Sequence, residues 1–259
     1  MKFILCILFL LLPLTSDKTY PLKFGKPTRK GIEMYVEDKR DSLIIEYQNF
    51  VNDTLFDDVW IYAEDLTDYV DHDSLELGRY WPQEVIISSE PLFVAYELKD
   101  LSRFKKSLYI ETNAFVKSTV FHELTHHYVN QIGRELEFYD SIRVNRAFQT
   151  GIWIIRNPSL FGATFIEEGI CEYITAKMGE IIPPKNPYIP KTKLDLISNN
   201  NRYNVVYKYS AHYLKTFLDT TGFKIGVKIL ISNEPPSEDE ILDPALYFNR
   251  LDYATILKK

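Results

Sequence analysis

Two histidines four residues apart, with a glutamate directly after the first, stand at His122-Glu123-Leu124-Thr125-His126. On a helix of 3.6 residues per turn, positions i and i+4 share a face, so both imidazoles can point at one metal ion. Glu123, beside the first histidine, can reach a water held there. Two neutral nitrogen donors and an adjacent carboxylate supply what zinc hydrolysis needs: a Lewis acid, an activated water and a base. Three of the protein's five histidines fall within 122–127. The expectation is one Zn2+ ion held by His122 and His126, with Glu123 as the general base.

Two histidines leave a catalytic zinc one protein ligand short, with a further position kept open for water. A histidine six residues after His126 would mark the metzincin pattern, but position 132 is Ile132. The best remaining source is Phe165-Ile166-Glu167-Glu168-Gly169-Ile170-Cys171-Glu172-Tyr173. Here Glu168 and Glu172 are spaced i,i+4 on one helical face. One of them can ligate the ion while the other accepts a hydrogen bond from a ligand histidine and fixes its tautomer.

With the segment Glu168-Gly169-Ile170-Cys171-Glu172-Tyr173 following H-E-x-x-H, the chain resembles the gluzincins, the thermolysin-like and aminopeptidase-like zinc metallopeptidases. The resemblance implies Glu168 as the third ligand and Glu172 as the hydrogen-bonding partner behind a ligand histidine, with Glu167 the less favoured ligand. Positions 127–167 place 41 residues between His126 and Glu168, roughly twice the usual family spacing. The segment around Arg134–Gly162 is therefore expected to be an inserted helix or lid.

Tyr207-Lys208-Tyr209-Ser210-Ala211 resembles the Y-x-K-G-A segment of the aminopeptidase branch, which implies that Tyr207 stabilises the oxyanion; Tyr209 and His212 are the runners-up. Tyr213-Leu214, Gly222 and Leu230 are similar to the helix pair that closes many gluzincin domains. Leu108–Thr112 resembles the edge strand that pairs with the substrate backbone, a mode that gives affinity through main-chain hydrogen bonds. Glu111 is a candidate partner for a free amino terminus, but the chain has no G-x-M-E-N-like exopeptidase motif upstream of the zinc helix, which leans toward an endopeptidase.

The elements that must position these residues follow from periodicity. The expected fold is α+β and zincin-like, a small mixed sheet followed by a mainly helical part. It forms a single domain over 17–259, strand-rich over 17–112 and helical over 113–259. Residues 17–31, with Pro21, Gly25, Pro27 and Gly31, read as an extended lead-in. Ser42–Val51 has helical spacing. Val59–Ala63, Val85–Ile87, Leu92–Tyr96 and Ser107–Thr112 read as strands, rich in β-branched and aromatic residues. The metal helix is expected from Asn113, capped by Asn113 or Ser118 and stopping at Gly133. Further helices are expected at Glu167–Met178, Val205–Leu218 and Lys224–Ser232, with a proline-marked loop over Pro183–Pro190.

Bulk properties bound the remaining choices. The 259 residues, 46% of them hydrophobic, can bury a sizeable core. A net charge of −6 and the lack of a dense Lys/Arg run argue against nucleic acid as a partner. Lys2, the apolar run Phe3–Leu12 and the following Pro13-Leu14-Thr15-Ser16 read as a signal peptide over 1–16. That run falls short of the roughly 20 residues a spanning helix needs, and no other stretch is long enough. A secreted, periplasmic or cell-envelope location follows. Cys171 would then be the sole cysteine, unable to form an intrachain disulfide, and reads as a small buried side chain. His127 is expected on the other helix face and His72 in a loop. The expected partner is a peptide or protein substrate. The rivals are a catalytically silent, peptidase-like binding protein and a zinc amidohydrolase acting on non-protein or cell-wall peptide amides.

Overall fold

The computed structural model describes residues 28–55, 58–66, 77–81, 83–90, 108–135, 160–178 and 188–253. The expectations for 1–27, for the strand Leu92–Tyr96, for His72 and for 136–159 lie outside these residues. Among the described residues the chain is mixed α/β and mostly helical, built around one three-stranded sheet.

Helix α1 (Arg29–Val51) starts earlier than the extended lead-in allowed. Thr28 caps it, its side chain accepting a hydrogen bond from the Gly31 amide at 3.1 Å. Asn52, in the left-handed region at φ 53°, ends it. Strands β1 (Trp60–Glu64) and β3 (Glu84–Ser88) run parallel and lie where strands were expected. Strand β2 (Gly78–Trp81), which no pattern announced, pairs antiparallel with β3 and forms an edge, in the order β1-β3-β2. Val85, Ile86 and Ile87 are all buried, as in a strand covered on both faces.

The largest correction concerns Leu108–Thr112. This segment is the first part of a single helix, α2 (Leu108–Glu135), so the helical half begins at 108 rather than 113. Neither Asn113 nor Ser118 caps it, and Gly133 does not stop it. Tyr109 and Ile110 favour a strand locally, but the chain continues into Val116, Val120, Phe121, Leu124, Tyr128, Val129 and Ile132, all buried and spaced by ones, threes and fours. A glycine inside a helix costs about 1 kcal/mol relative to alanine. Burying one side chain such as Ile132 contributes about 1.5–3 kcal/mol, so the helix runs on through Gly133.

Helix α3 (Leu160–Lys177) begins at Leu160 rather than at Glu167. The long gap between His126 and Glu168 is thus taken up at both ends by helix, the end of α2 and the start of α3. Two short helices not read from the sequence, α4 (Lys193–Ile197) and α5 (Asn199–Tyr203), lead into a π-helical stretch at Asn204–Tyr209. Then comes α6 (Ser210–Thr221), closed by Gly222 at φ 79°, so the helix expected over Val205–Leu218 is π-helical as far as Tyr209 and runs on to Thr221, and α7 (Phe223–Ser232) follows close to its expected bounds. Helices α8 (Glu238–Leu242) and α9 (Pro244–Arg250) were not anticipated.

Helix α2 packs against α1, β2, β3, α3 and α7. Helix α3 in turn packs on α6. At Gly169 a methyl group would lie 2.9 Å from Ser210 Cβ and 3.0 Å from Leu214 Cδ1. Only a glycine permits that approach of α3 to α6. No described helix is long and apolar enough to cross a membrane.

Candidate metal centre

His122 and His126 project from one face of α2, their ring centroids 5.2 Å apart. Helix α3 crosses opposite them. Glu168 Oε2 lies 3.0 Å from His122 Nε2 and 3.8 Å from His126 Nε2. Donors about 2.0–2.1 Å from a tetrahedral zinc stand roughly 3.4 Å apart, so the two separations bracket what such an ion requires.

The other ring nitrogens also face carboxylates. Glu172 Oε1 is 3.5 Å from His122 Nδ1, and Glu167 Oε1 is 2.8 Å from His126 Nδ1. Glu167 and Glu168, adjacent on α3, point about 100° apart around the helix, which is why they meet different nitrogens. A neutral imidazole that donates its Nδ1 proton to a carboxylate keeps its Nε2 lone pair for a metal. The sequence ranked Glu167 only as an alternative ligand. Its place beside His126 Nδ1 depends on how α3 crosses α2, which no local pattern encodes.

The carboxylates create a demand for positive charge. Burial opposes an imidazolium at both histidines, yet the neighbouring carboxylates outweigh it. Glu168 and Glu172 hold His122 well above the ordinary histidine value. Glu168, with Glu167 and Glu123, raises His126 to about 8. Burial likewise works against the Glu168 carboxylate, but His126 and His122 keep it below its usual range. Protons on the imidazoles or a divalent cation between them would meet the same demand, so the donor set fits zinc.

Cys171 is closer to this centre than the sequence suggested. One donor atom each from His122, His126 and Cys171 lies within 4.8 Å of the other two, a group that can hold a metal. Burial pushes the Cys171 thiol well above its usual value, with Glu168 and the other carboxylates adding to it. The thiol is therefore protonated where Glu168 is ionised.

Glu123 is buried on α2 beneath β2. Tyr207, on the π-helical stretch, faces His122 with ring centroids 6.3 Å apart. Burial, then Glu168 and Glu123, push its phenol upward, so it keeps its proton. The runners-up lie elsewhere: Tyr209 is buried and donates to the Ile241 carbonyl at 3.1 Å, and His212 is exposed beside Tyr209. A π-helical turn closes i→i+5, here Ser210 N to Val205 O. It rotates less per residue than an α-turn, so the consecutive side chains of Tyr207 and Lys208 both reach the centre.

From the sheet side, Tyr80 of β2 stacks on His126, with centroids 6.3 Å apart and planes 12° from parallel. Its hydroxyl accepts from Asn130 Nδ2 at 2.8 Å and lies 3.3 Å from His127 Nδ1. Burial lowers His127 to about 4, so the ring beside the Tyr80 hydroxyl is neutral. The sequence carried no signal for Gly78 or Tyr80, because only tertiary packing lays β2 on α2.

No protein-family model, curated protein or solved structure matches this chain.

Proposed function

We propose that this protein is a zinc-dependent peptidase of the gluzincin type on a zincin-like α+β fold. His122, His126 and Glu168 would hold the ion. The observation that carries the reading is the placement of Glu168 Oε2 within 3.0 and 3.8 Å of the two Nε2 atoms, while Glu172 and Glu167 face the opposite ring nitrogens.

A bound zinc would supply Lewis acidity, polarising a peptide carbonyl and lowering the pKa of a water. Glu123 takes a proton from the attacking water and delivers it to the departing amine. The protonated Tyr207 phenol donates to the oxyanion that develops on the carbonyl. Glu172 and Glu167 hold the ligand imidazoles in the tautomer that presents Nε2. Substrate pairing, expected at Leu108–Thr112, moves to the edge strand β2, since the former segment is helical. An extended peptide added there would run past Glu123.

A second reading replaces Glu168 by Cys171, giving a His-His-Cys set. Glu168 is favoured on geometry, because its Oε2 stands 3.0 Å from His122 Nε2 and 3.8 Å from His126 Nε2.

The test compares the purified full-length chain with Glu123→Ala for zinc content and for cleavage of a fluorogenic peptide pool. Both proteins should carry one zinc per chain, and the variant should lose cleavage by roughly 10²–10⁴-fold, the usual contribution of a general base. Undiminished cleavage by Glu123→Ala sinks the assignment. Zinc without cleavage of any peptide points to the silent binding protein. Activity confined to cell-wall or non-protein amides points to the amidohydrolase.

A further inference from the structure

A lysine stands behind the Glu172 carboxylate. Lys208, half-buried on the π-helical stretch, places Nζ 3.4 Å from Glu172 Oε2. The other oxygen of the same carboxylate lies 3.5 Å from His122 Nδ1. The three groups form a chain of contacts, ammonium to carboxylate to imidazole, ending on the ring whose other nitrogen, Nε2, faces Glu168. The Lys208 ammonium also sits over the Tyr203 ring, 5.4 Å from its centroid, and Tyr203 packs on Tyr207 at 5.2 Å. The cation is thus held from two sides, by a carboxylate and by an aromatic face.

A carboxylate behind a ligand histidine can turn toward other partners unless something fixes it, and here four glutamates crowd one centre. Glu172 and Glu168 repel each other, the Glu172 charge working to raise the Glu168 carboxyl. An ammonium on its far side offsets that repulsion and sets the direction in which the carboxylate points. Burial works against the Lys208 charge, but Glu172 outweighs it, and the ammonium is held above its ordinary value.

We propose that Lys208 is a positioning residue for the metal centre: it anchors Glu172, which orients His122 for zinc. This rests on the assignment of His122 as a zinc ligand. Lys208 does not touch the ion. It acts through Glu172, and its loss registers first in metal affinity.

The experiment measures Zn2+ affinity by competition with a chromophoric chelator in the purified full-length chain, together with kcat and KM for a cleaved peptide. The variants are Lys208→Met, Lys208→Arg, Glu172→Gln and the double variant Lys208→Met/Glu172→Gln. Lys208→Met and Glu172→Gln should each weaken zinc binding about 10- to 100-fold, the usual effect of removing an outer partner of a ligand. The double variant should be no weaker than Glu172→Gln alone, since both changes break one link. Lys208→Arg should keep affinity within about 3-fold, because a cation remains. At saturating zinc, Lys208→Met should recover its kcat, which a general packing defect would not allow. Wild-type affinity in Lys208→Met, or losses that add in the double variant, overturns the inference while leaving the peptidase reading standing. A wild-type protein that takes up no zinc overturns both. If Lys208→Met does not fold, Glu172→Gln and Lys208→Arg decide: an unchanged affinity in the first, or a 10-fold loss in the second, overturns it.

Discussion

The backbone of Gly78 runs directly over the side chain of Glu123. A methyl group at position 78 would lie 2.9 Å from Glu123 Oε1 and 2.8 Å from Thr119 Cγ2. The edge strand and the candidate base are therefore in van der Waals contact, and the absence of a side chain at 78 leaves the space that Glu123 occupies.

This contact makes Gly78→Ala a probe of the base that changes no titratable group. Glu123 must move aside, and displacement of a catalytic group by about 1 Å can cost on the order of 10²-fold in rate. The variant should lose kcat by tens-fold or more while keeping its zinc. Parallel metal analysis and kinetics check this, and an unchanged kcat would show that Glu123 does not need its observed position.

The two donor sets separate by single substitutions. Glu168→Ala should abolish stoichiometric zinc binding, whereas Cys171→Ala should leave zinc and peptide cleavage near wild type. The opposite pattern, measured by metal content after dialysis, would establish the His-His-Cys set instead.

Tyr207→Phe removes only a hydroxyl beside His122. Loss of one oxyanion donor commonly lowers kcat by about 10²–10³-fold. We expect that loss with zinc affinity unchanged. A fall in zinc affinity as large as the fall in kcat would make Tyr207 a structural support of His122 rather than a hydrogen-bond donor to substrate.

Gly169→Ala should destabilise the fold by about 1–3 kcal/mol, the usual cost of overpacking a tight interface, because the added carbon meets Ser210 and Leu214. Urea unfolding gives the value. The same variant should lower activity in the folded population, since the π-helical stretch that carries Tyr207 moves away with α6.

A pH effect is expected from Asp219, which ties α6 to α3. Lys177 Nζ lies 2.7 Å from its carboxylate, Lys215 Nζ 2.5 Å, and Tyr173 donates at 2.8 Å. Lys177, then Lys215 and Tyr173, hold its carboxyl well below the usual carboxylate range. A depressed folded pKa gives stability that is present above the unfolded value, about 3.9, and is lost as pH falls through the folded value. Asp219→Asn should therefore lower Tm at pH 7, by a margin that shrinks below about pH 4 and at high salt. Thermal melts across that range test it; a margin that widens in acid contradicts the ion-pair origin.

The placement of the candidate site residues on shared helix faces was legible because its signal is local. The i,i+4 spacing of His122 and His126 requires only that the segment be helical, and the same holds for Glu168 and Glu172. The helices at Ser210–Thr221 and Phe223–Ser232 were legible for the same reason, with Gly222 as punctuation. Leu108–Thr112 reads locally as a strand because its residue types favour one, while the buried register that makes it helical lies further along α2. Strand β2 was missed because four residues opening on glycine carry no alternation of their own; β3 beside it supplies the missing half of the ladder.

What the sequence determined by itself is a helix that presents two histidines and a glutamate, and a later helix that presents carboxylates. Which carboxylate meets which nitrogen was decided by the tertiary structure. Glu168 meets both Nε2 atoms, Glu167 and Glu172 the Nδ1 atoms, and Lys208 the far side of Glu172. The physical reason is that helical periodicity sets directions around one axis only. Pairing across two axes depends on where α3 crosses α2, and Gly169, by allowing close approach to Ser210 and Leu214, sets how near α6 comes to α3.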